Sequence, residues 1–351
     1  MMDYMQIGYL IVVPMICFFG IVGNILTLTV LLRGPFKVPA FIYLKGLAVY
    51  DMLSLVFIIP IGVIRTECGS NKSVLSKFYE AYVYIPVGDI FLKASILTTV
   101  IFTIERCSTI CFKGRYSCGA KHSKNAMIIV IATGIFSVVE NIPTFWQYQI
   151  SENTTEIEPT EFASSLYFTI YGWIDAVVFQ FVPMVILLVF NIILIIHLTS
   201  HRKVQQQLHA ESLTEQKLYL EQTRVILMLL GIIILFLVTM VPSSIIQLIG
   251  YSTEFESEIF TTFQITVTIL ISLNFSCNFL LYCALNKRFL RTFKTLVFCC
   301  CSNRVHPTGE TTNKVVLVNH PRILEKALDL NSPDMMESNE PSDLVANGDS
   351  K

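Results

Sequence analysis

The hydrophobic pattern of this chain is one of long unbroken runs, not of alternation. A helix rising ~1.5 Å per residue needs about 20 apolar residues to cross a hydrocarbon core. Seven stretches meet that need: Tyr9–Leu32, Phe41–Ile64, Ala81–Ile104, Ala126–Val139 continued to Phe145, Leu166–Leu198, Val225–Ile249 and Phe260–Cys283. Glu140 interrupts the fourth. The pattern predicts an all-α membrane protein, a seven-helix transmembrane bundle with its two ends on opposite sides of the bilayer.

Beyond the seventh run the period changes. From Asn286 to Phe298, Phe289, Phe293 and Leu296 share one helical face while Lys287, Arg288, Arg291 and Lys294 cover the other. Such a helix lies in the interface, against an anionic inner leaflet. Cys299, Cys300 and Cys301 follow at once; they suit S-palmitoylation, against the plainer alternative of three reduced cytosolic thiols. Residues 302–351 are polar and are expected to be disordered. The expected organisation is a short outer N-terminus (1–8), the bundle (9–283), the interfacial helix with its cysteines (284–301) and a cytoplasmic tail (302–351). The first run is longer than a signal-peptide core and no small-residue cleavage pattern follows, so it is read as a retained span.

Composition agrees. The chain is 53% apolar and 15% charged, where soluble proteins carry about a quarter charged residues. The distribution of charge sets the direction. Arg33, Lys37 and Lys45 follow the first run; Lys113, Arg115, Lys121 and Lys124 follow the third; Arg202, Lys203, Lys217 and Arg224 separate the fifth and sixth; Lys287, Arg288, Arg291 and Lys294 follow the seventh. No Lys or Arg occurs from Asn141 through His201 or from Val225 through Asn286. The positive-inside rule puts the basic loops and the C-terminal tail in the cytoplasm, and the N-terminus outside, as in a multi-pass protein of the plasma membrane. Arg65, Lys72 and Lys77 dissent, partly balanced by Glu67 and Glu80. Sequons at Asn71 and Asn153 fall in the loops this topology places outside and are expected glycosylation sites.

Polar residues inside the runs carry the candidate chemistry. Asn24, Asp51, Ser95, Asn274 and Asn278 sit near mid-depth. Helix-gluing hydrogen bonds explain the amides and the serine as well as function does. Asp51 differs, because an unpaired carboxylate there costs at least a few kcal/mol. It must be protonated or hold a cation. Glu105 and Arg106 close the third run side by side. A simple stop-transfer cluster accounts for them; so does a pair with two alternative partners, which is a bistable element.

These pieces, taken in order, resemble a known family. Gly23-Asn24, Leu47-Ala48-Val49-Tyr50-Asp51, Glu105-Arg106-Cys107, Pro183, Phe236 with Pro242, and Asn278-Phe-Leu-Leu-Tyr282 before a basic helix and cysteines are similar to the rhodopsin-like G-protein-coupled receptors, over about Tyr9 to Cys301. The "IERCSTIC" and "FLLYCALNKRFLRTF" segments look most like invertebrate neuropeptide receptors of the FMRFamide-like kind and their orphan relatives. The resemblance implies a G-protein coupling switch of Glu105, Arg106 and Tyr282. It implies a sodium-binding cavity lined by Asp51, Ser95, Asn274 and Asn278 and braced by Asn24, and a hinge at Phe236 and Pro242 that lets span six swing. Pro242 supports a hinge independently, since proline frees a backbone carbonyl. As partners the resemblance implies a heterotrimeric G protein, with arrestin and a receptor kinase on the tail; no nucleic acid is expected.

The departures from the family pattern are specific. Ala81 stands where the outer end of span three usually has a bridging cysteine, and Gln147 to Glu161 contains none. Thr239-Met240 precede the span-six proline, Asn191 replaces a common tyrosine, and Phe279 replaces the usual span-seven proline. Gly88 stands where amine receptors carry an anchoring aspartate, and span seven has no lysine to hold retinal.

The outer halves carry Asp89, Lys93 and Asp175, with Gln247 and Gln264 facing the same cavity. Asp89 and Lys93 are one turn apart, able to neutralise each other, which leaves Asp175 for Lys93 or for a ligand. Glu152, Glu156, Glu158 and Glu161 in one outer loop, and Glu254, Glu256 and Glu258 in the next, make an acidic rim without a base. That rim steers cations inward. The expected ligand is a basic, amidated peptide. The rival class is a seven-span transporter or channel, which the lack of an internal repeat disfavours. An enzyme is not expected: His197 and His201 have metal-ligand spacing but no third ligand, and no phosphate loop or nucleophile motif occurs.

Overall fold

The structure, a computed structural model, describes residues 4–34, 36, 39–66, 73–111, 120–151, 157–207, 227–228, 230–245 and 257–302. By its contacts the chain divides into Met1–Asn303 and Arg304–Lys351, and every described residue belongs to the first unit. Among the described residues, six helices are long and apolar enough to cross a membrane: α1 (Gly8–Arg33), α2 (Pro39–Ile64), α3 (Val74–Thr109), α4 (Ser123–Trp146), α5 (Leu166–His197) and α7 (Thr262–Leu285). Between α5 and α7 lies a shorter apolar helix, α6 (Leu230–Ile245); the flanks of that run lie outside the described residues. The amphipathic helix α8 (Lys287–Ser302) follows α7.

Local chemistry explains where these helices begin and break. Ser73 caps α3, its Oγ accepting from the Ser76 amide at 3.1 Å, so the helix starts ahead of its apolar run. Glu140 interrupts the regular helix of α4 without ending the span. It is the last residue of the regular helix, and a 3-10 turn, Ile142–Trp146, continues the span. Although Phe279 replaces proline, α7 still breaks: regular helix ends at Ser276 and resumes at Asn278, across Cys277. Asn286 caps α8, its Oδ1 accepting from the Arg288 and Phe289 amides at 3.1 Å each.

A two-stranded antiparallel hairpin, β1 (Tyr148–Ile150) and β2 (Ile157–Pro159), joins α4 to α5 and marks one end of the bundle. Three π-helical turns lie on the hairpin side of their spans: Gly8–Val12, Tyr79–Tyr84 and Val177–Phe181. The wider π turn re-aims side chains, and such turns concentrate at functional sites.

The core lies in three layers. Toward the hairpin, Tyr9, Val13, Leu55, Ile61 and Phe275 pack together. In the middle, Ile96, Val100, Leu187, Ile233, Phe236 and Met240 join α3, α5 and α6. At the other end, Val30, Tyr43, Phe102, Val130, Tyr282 and Phe289 close the bundle onto α8. Phe279 takes up this last layer, meeting Phe289 and Phe293 edge-on at 6.1 and 5.3 Å. Tyr50 donates to the Val130 carbonyl at 2.6 Å, fastening α2 to α4, and Gly134 leaves it room, since a Cβ there would meet the Tyr50 hydroxyl at 2.6 Å. Outward-facing Phe18, Phe19, Leu32, Ile128, Leu166 and Val238 are exposed. A face of that kind needs lipid, not water.

Candidate functional site

Polar side chains form a discontinuous column through the apolar bundle. At the α8 end, Arg106 folds back on Glu105 in a bidentate fork: Nε to Oε2 at 2.6 Å and Nη2 to Oε1 at 2.7 Å. Parallel, charge-assisted bonds of this kind are the strong, oriented form of the interaction. Arg106 is 8% exposed, so the fork stands in the bundle wall and not free in solvent. Tyr282 is buried in the same layer, and its hydroxyl has no partner among the described residues.

Toward mid-depth, Asp51 is 1% exposed and both its oxygens are engaged. Ser95 donates to Oδ1 and Asn278 to Oδ2, each at 2.6 Å. This ties α2 to α3 and α7. Asn24 does not touch Asp51; its amide donates to the Gly20 and Phe275 carbonyls at 3.0 and 3.1 Å, bracing α1 against α7. Asn274 donates to Thr239 Oγ1 at 2.8 Å, linking α7 to α6. A cavity of ≈ 10 Å³ beside Asp51's partners is lined by Leu47, Ser95, Ile96, Thr99, Ile232, Phe236, Asn274 and Asn278. That volume admits one water-sized species, and the hydroxyl and amide oxygens around it are the hard donors a small alkali cation takes. Ser95, Thr99, Asn274 and Asn278 are thus of a type that fits the sodium ion the resemblance implies. Phe236 forms the cavity wall and is packed in the middle core layer; Pro242 lies further along the same helix, α6.

The hairpin-side half holds a third cluster. Lys93, its side chain 3% exposed, meets Asp89 at 2.8 Å, Glu140 at 2.8 Å and Asp175 at 2.5 Å. Asn141 Oδ1 accepts a further bond at 3.0 Å. The Phe179 and Tyr171 rings stand 5.0 and 6.0 Å from the ammonium, and Phe179 is placed there by the π turn of α5. One cation thus holds α3, α4 and α5 together. A charge this deep is tolerated only because it is paired and hydrogen-bonded.

Asp89, Lys93 and Asp175, separate in sequence, are brought together. Gln264 is half-buried on α7 and its side chain is not among the Lys93 partners. Gln247, Asn71 and Asn153 lie outside the described residues, as do the side chains of Cys299, Cys300 and Cys301. Sequence reasoning missed Glu140, taken only as an interruption of span four, and with it Asn141, Tyr171 and Phe179. The signal was present: a carboxylate inside a span needs a partner, and Lys93 is a base inside the neighbouring third run. Thr239 was noted as a departure, not as the partner of Asn274.

A bundle of seven apolar helices with an Arg-Glu fork at one end and buried polar clusters along its interior is the architecture of a seven-span membrane receptor. The family profile described as 7 transmembrane receptor (rhodopsin family) matches residues 23–282. The chain belongs to this family, whose members are G-protein-coupled receptors and not enzymes. It is 28% identical to a probable G-protein coupled receptor of Caenorhabditis elegans, over 82% of this chain and 69% of that protein. It is 25% identical to the FMRFamide receptor of Drosophila melanogaster, over 80% of this chain and 52% of that receptor. The thyrotropin-releasing hormone receptor of Mus musculus is also 25% identical, over 91% of this chain and 85% of that receptor.

Proposed function

We propose that this receptor sits in the plasma membrane with the hairpin outside and α8 inside, binds a basic amidated peptide, and passes that event to a heterotrimeric G protein through movement of α3, α5 and α6. The observation that carries the reading is the cluster around Lys93. Three carboxylates converge on one ammonium, so a ligand cation entering past the acidic loops meets anionic groups already arranged on the three helices it must displace. Two relatives, named for FMRFamide and thyrotropin-releasing hormone, support a peptide over an amine or a lipid.

At the inner end the Arg106 guanidinium exchanges Glu105 for an inserted G-protein helix, and the Tyr282 hydroxyl, without a partner among the described residues, gains one in the rearranged state. Swinging α6 about Pro242 and Phe236 breaks the Thr239–Asn274 bond. Asp51, Ser95, Asn274 and Asn278, with Asn24 as brace, would hold a sodium ion, which would supply positive charge beside the buried carboxylate in the resting arrangement. Arrestin and receptor kinase contacts fall to the tail, palmitoylation to Cys299, Cys300 and Cys301, and glycans to Asn71 and Asn153.

The test is a screen of basic amidated peptides, biogenic amines and lipids for nucleotide exchange on a co-expressed G protein. Activation by the peptides, weakened at least tenfold in Asp175→Asn at equal surface expression, is the expected result. Activation by acidic or neutral lipids alone overturns the ligand assignment.

A further inference from the structure

Another cation, half-buried, lies at the hairpin end. Arg65 directly follows α2, and its side chain is 13% exposed. Nε donates to Glu80 Oε1 at 2.9 Å and Nη1 donates to the Tyr9 hydroxyl at 3.1 Å. The guanidinium also stands 5.7 Å from the centre of the Tyr9 ring and 5.5 Å from that of Tyr84, in range for cation–π attraction. Tyr9 belongs to the π turn of α1; Glu80 and Tyr84 belong to that of α3. One side chain therefore collects the ends of α1, α2 and α3.

The hairpin rests on this assembly. β1 packs against the π turn Tyr79–Tyr84. The Tyr148 phenol of β1 is pushed up by burial and by the Glu80 carboxylate, with Arg65 acting against both, as expected of a hydroxyl close to the pair. No cysteine occurs from Gln147 to Glu161, so no disulfide ties the hairpin down. On its other side, β1 is joined to Glu140 and Asn141, two partners of Lys93, by the single 3-10 turn Ile142–Trp146.

We propose that Arg65 is the positioning residue of this face: it fixes the π turn of α3 as the platform for the hairpin, and so sets the approach to the Lys93 cluster without touching it. The meaning of that cluster as a ligand site rests on the function proposed above; the positioning role does not. The experiment is hydrogen–deuterium exchange on the full-length receptor in lipid nanodiscs, with no ligand or G protein, which keeps its outcome separate from the receptor reading. Arg65→Gln is expected to raise exchange at Gln147–Ile150 by roughly tenfold to a hundredfold, the loss of a bond to a charged group, with Val100–Arg106 unchanged. Arg65→Lys restores part of the protection, and the reciprocal Arg65→Glu/Glu80→Arg pair restores more than either single change. Unchanged hairpin exchange in Arg65→Gln overturns the proposal, and so does an equal rise in both segments, which is general loosening. If Arg65→Gln does not accumulate, Glu80→Gln keeps the side-chain shape, and the same two readouts decide.

Discussion

Lys93 is the residue on which most of the buried charge depends. Its ammonium is shared by Asp89, Glu140 and Asp175, so removing it leaves three carboxylates without a counter-ion. Lys93→Met is expected to lower stability by about 3–5 kcal/mol, the cost of breaking a buried pair from one side. Combining it with Asp175→Asn should recover part of that loss; thermal unfolding of purified receptor in nanodiscs measures both. A Lys93→Met protein as stable as wild type would show that the carboxylates are not charged there. Asp51 makes a different prediction. If its site holds sodium, raising sodium at constant ionic strength stabilises wild type, and Asp51→Asn removes that dependence while leaving most of the fold, because an amide can still meet Ser95. The same titration with potassium is the control. At this scale the sequence was informative about types and poor about partners. Asp51, Ser95 and Asn278 announced themselves as polar residues in apolar runs. The pairing of Lys93 with Glu140, 47 positions away, depends on how α3 and α4 pack, which no local pattern encodes.

Among the elements, the runs foretold the spans because apolar length is a strong signal and the bilayer fixes it. The refinements come from interactions the runs do not carry. Ser73 lengthens α3 by capping, Asn286 starts α8, and π turns open or bend three spans. The faces of α8 were legible from period alone: Phe289 is buried, Phe293 and Leu296 pack beside it, and Lys287, Arg288, Arg291 and Lys294 are exposed. Asn286→Ala should cost about 1 kcal/mol, the usual worth of an N-cap, seen as faster amide exchange at Arg288 and Phe289 with α7 unaffected. The α6–α7 link predicts a functional change. Thr239→Val keeps the shape and removes the acceptor of the Asn274 bond at 2.8 Å, so α6 is held less firmly and nucleotide exchange without ligand rises. Basal exchange equal to wild type, at matched expression, would remove that bond from the resting lock.

Among the described residues, buried charge includes the Arg106–Glu105 fork at one end, the Lys93 and Arg65 clusters and Lys77 toward the other, and Asp51 between them. Beside Asp51, Ile96, Val100, Leu187, Ile233, Phe236 and Met240 form an apolar contact between α3, α5 and α6, with the polar cavity at its edge. Under the proposed function, a signal crossing this layer would travel as helix displacement, since packed cores shift between discrete arrangements. In the same reading the fork at the α8 end is where such displacement would become a chemical event, because the bidentate bonds hold only while Arg106 keeps its rotamer. The most direct test is nucleotide exchange on a heterotrimeric G protein, evoked by an activating peptide, in cells carrying wild type or Arg106→Ala at equal surface expression. The account predicts exchange in wild type and at least a hundredfold loss in Arg106→Ala with peptide binding retained; equal exchange from the two would contradict it.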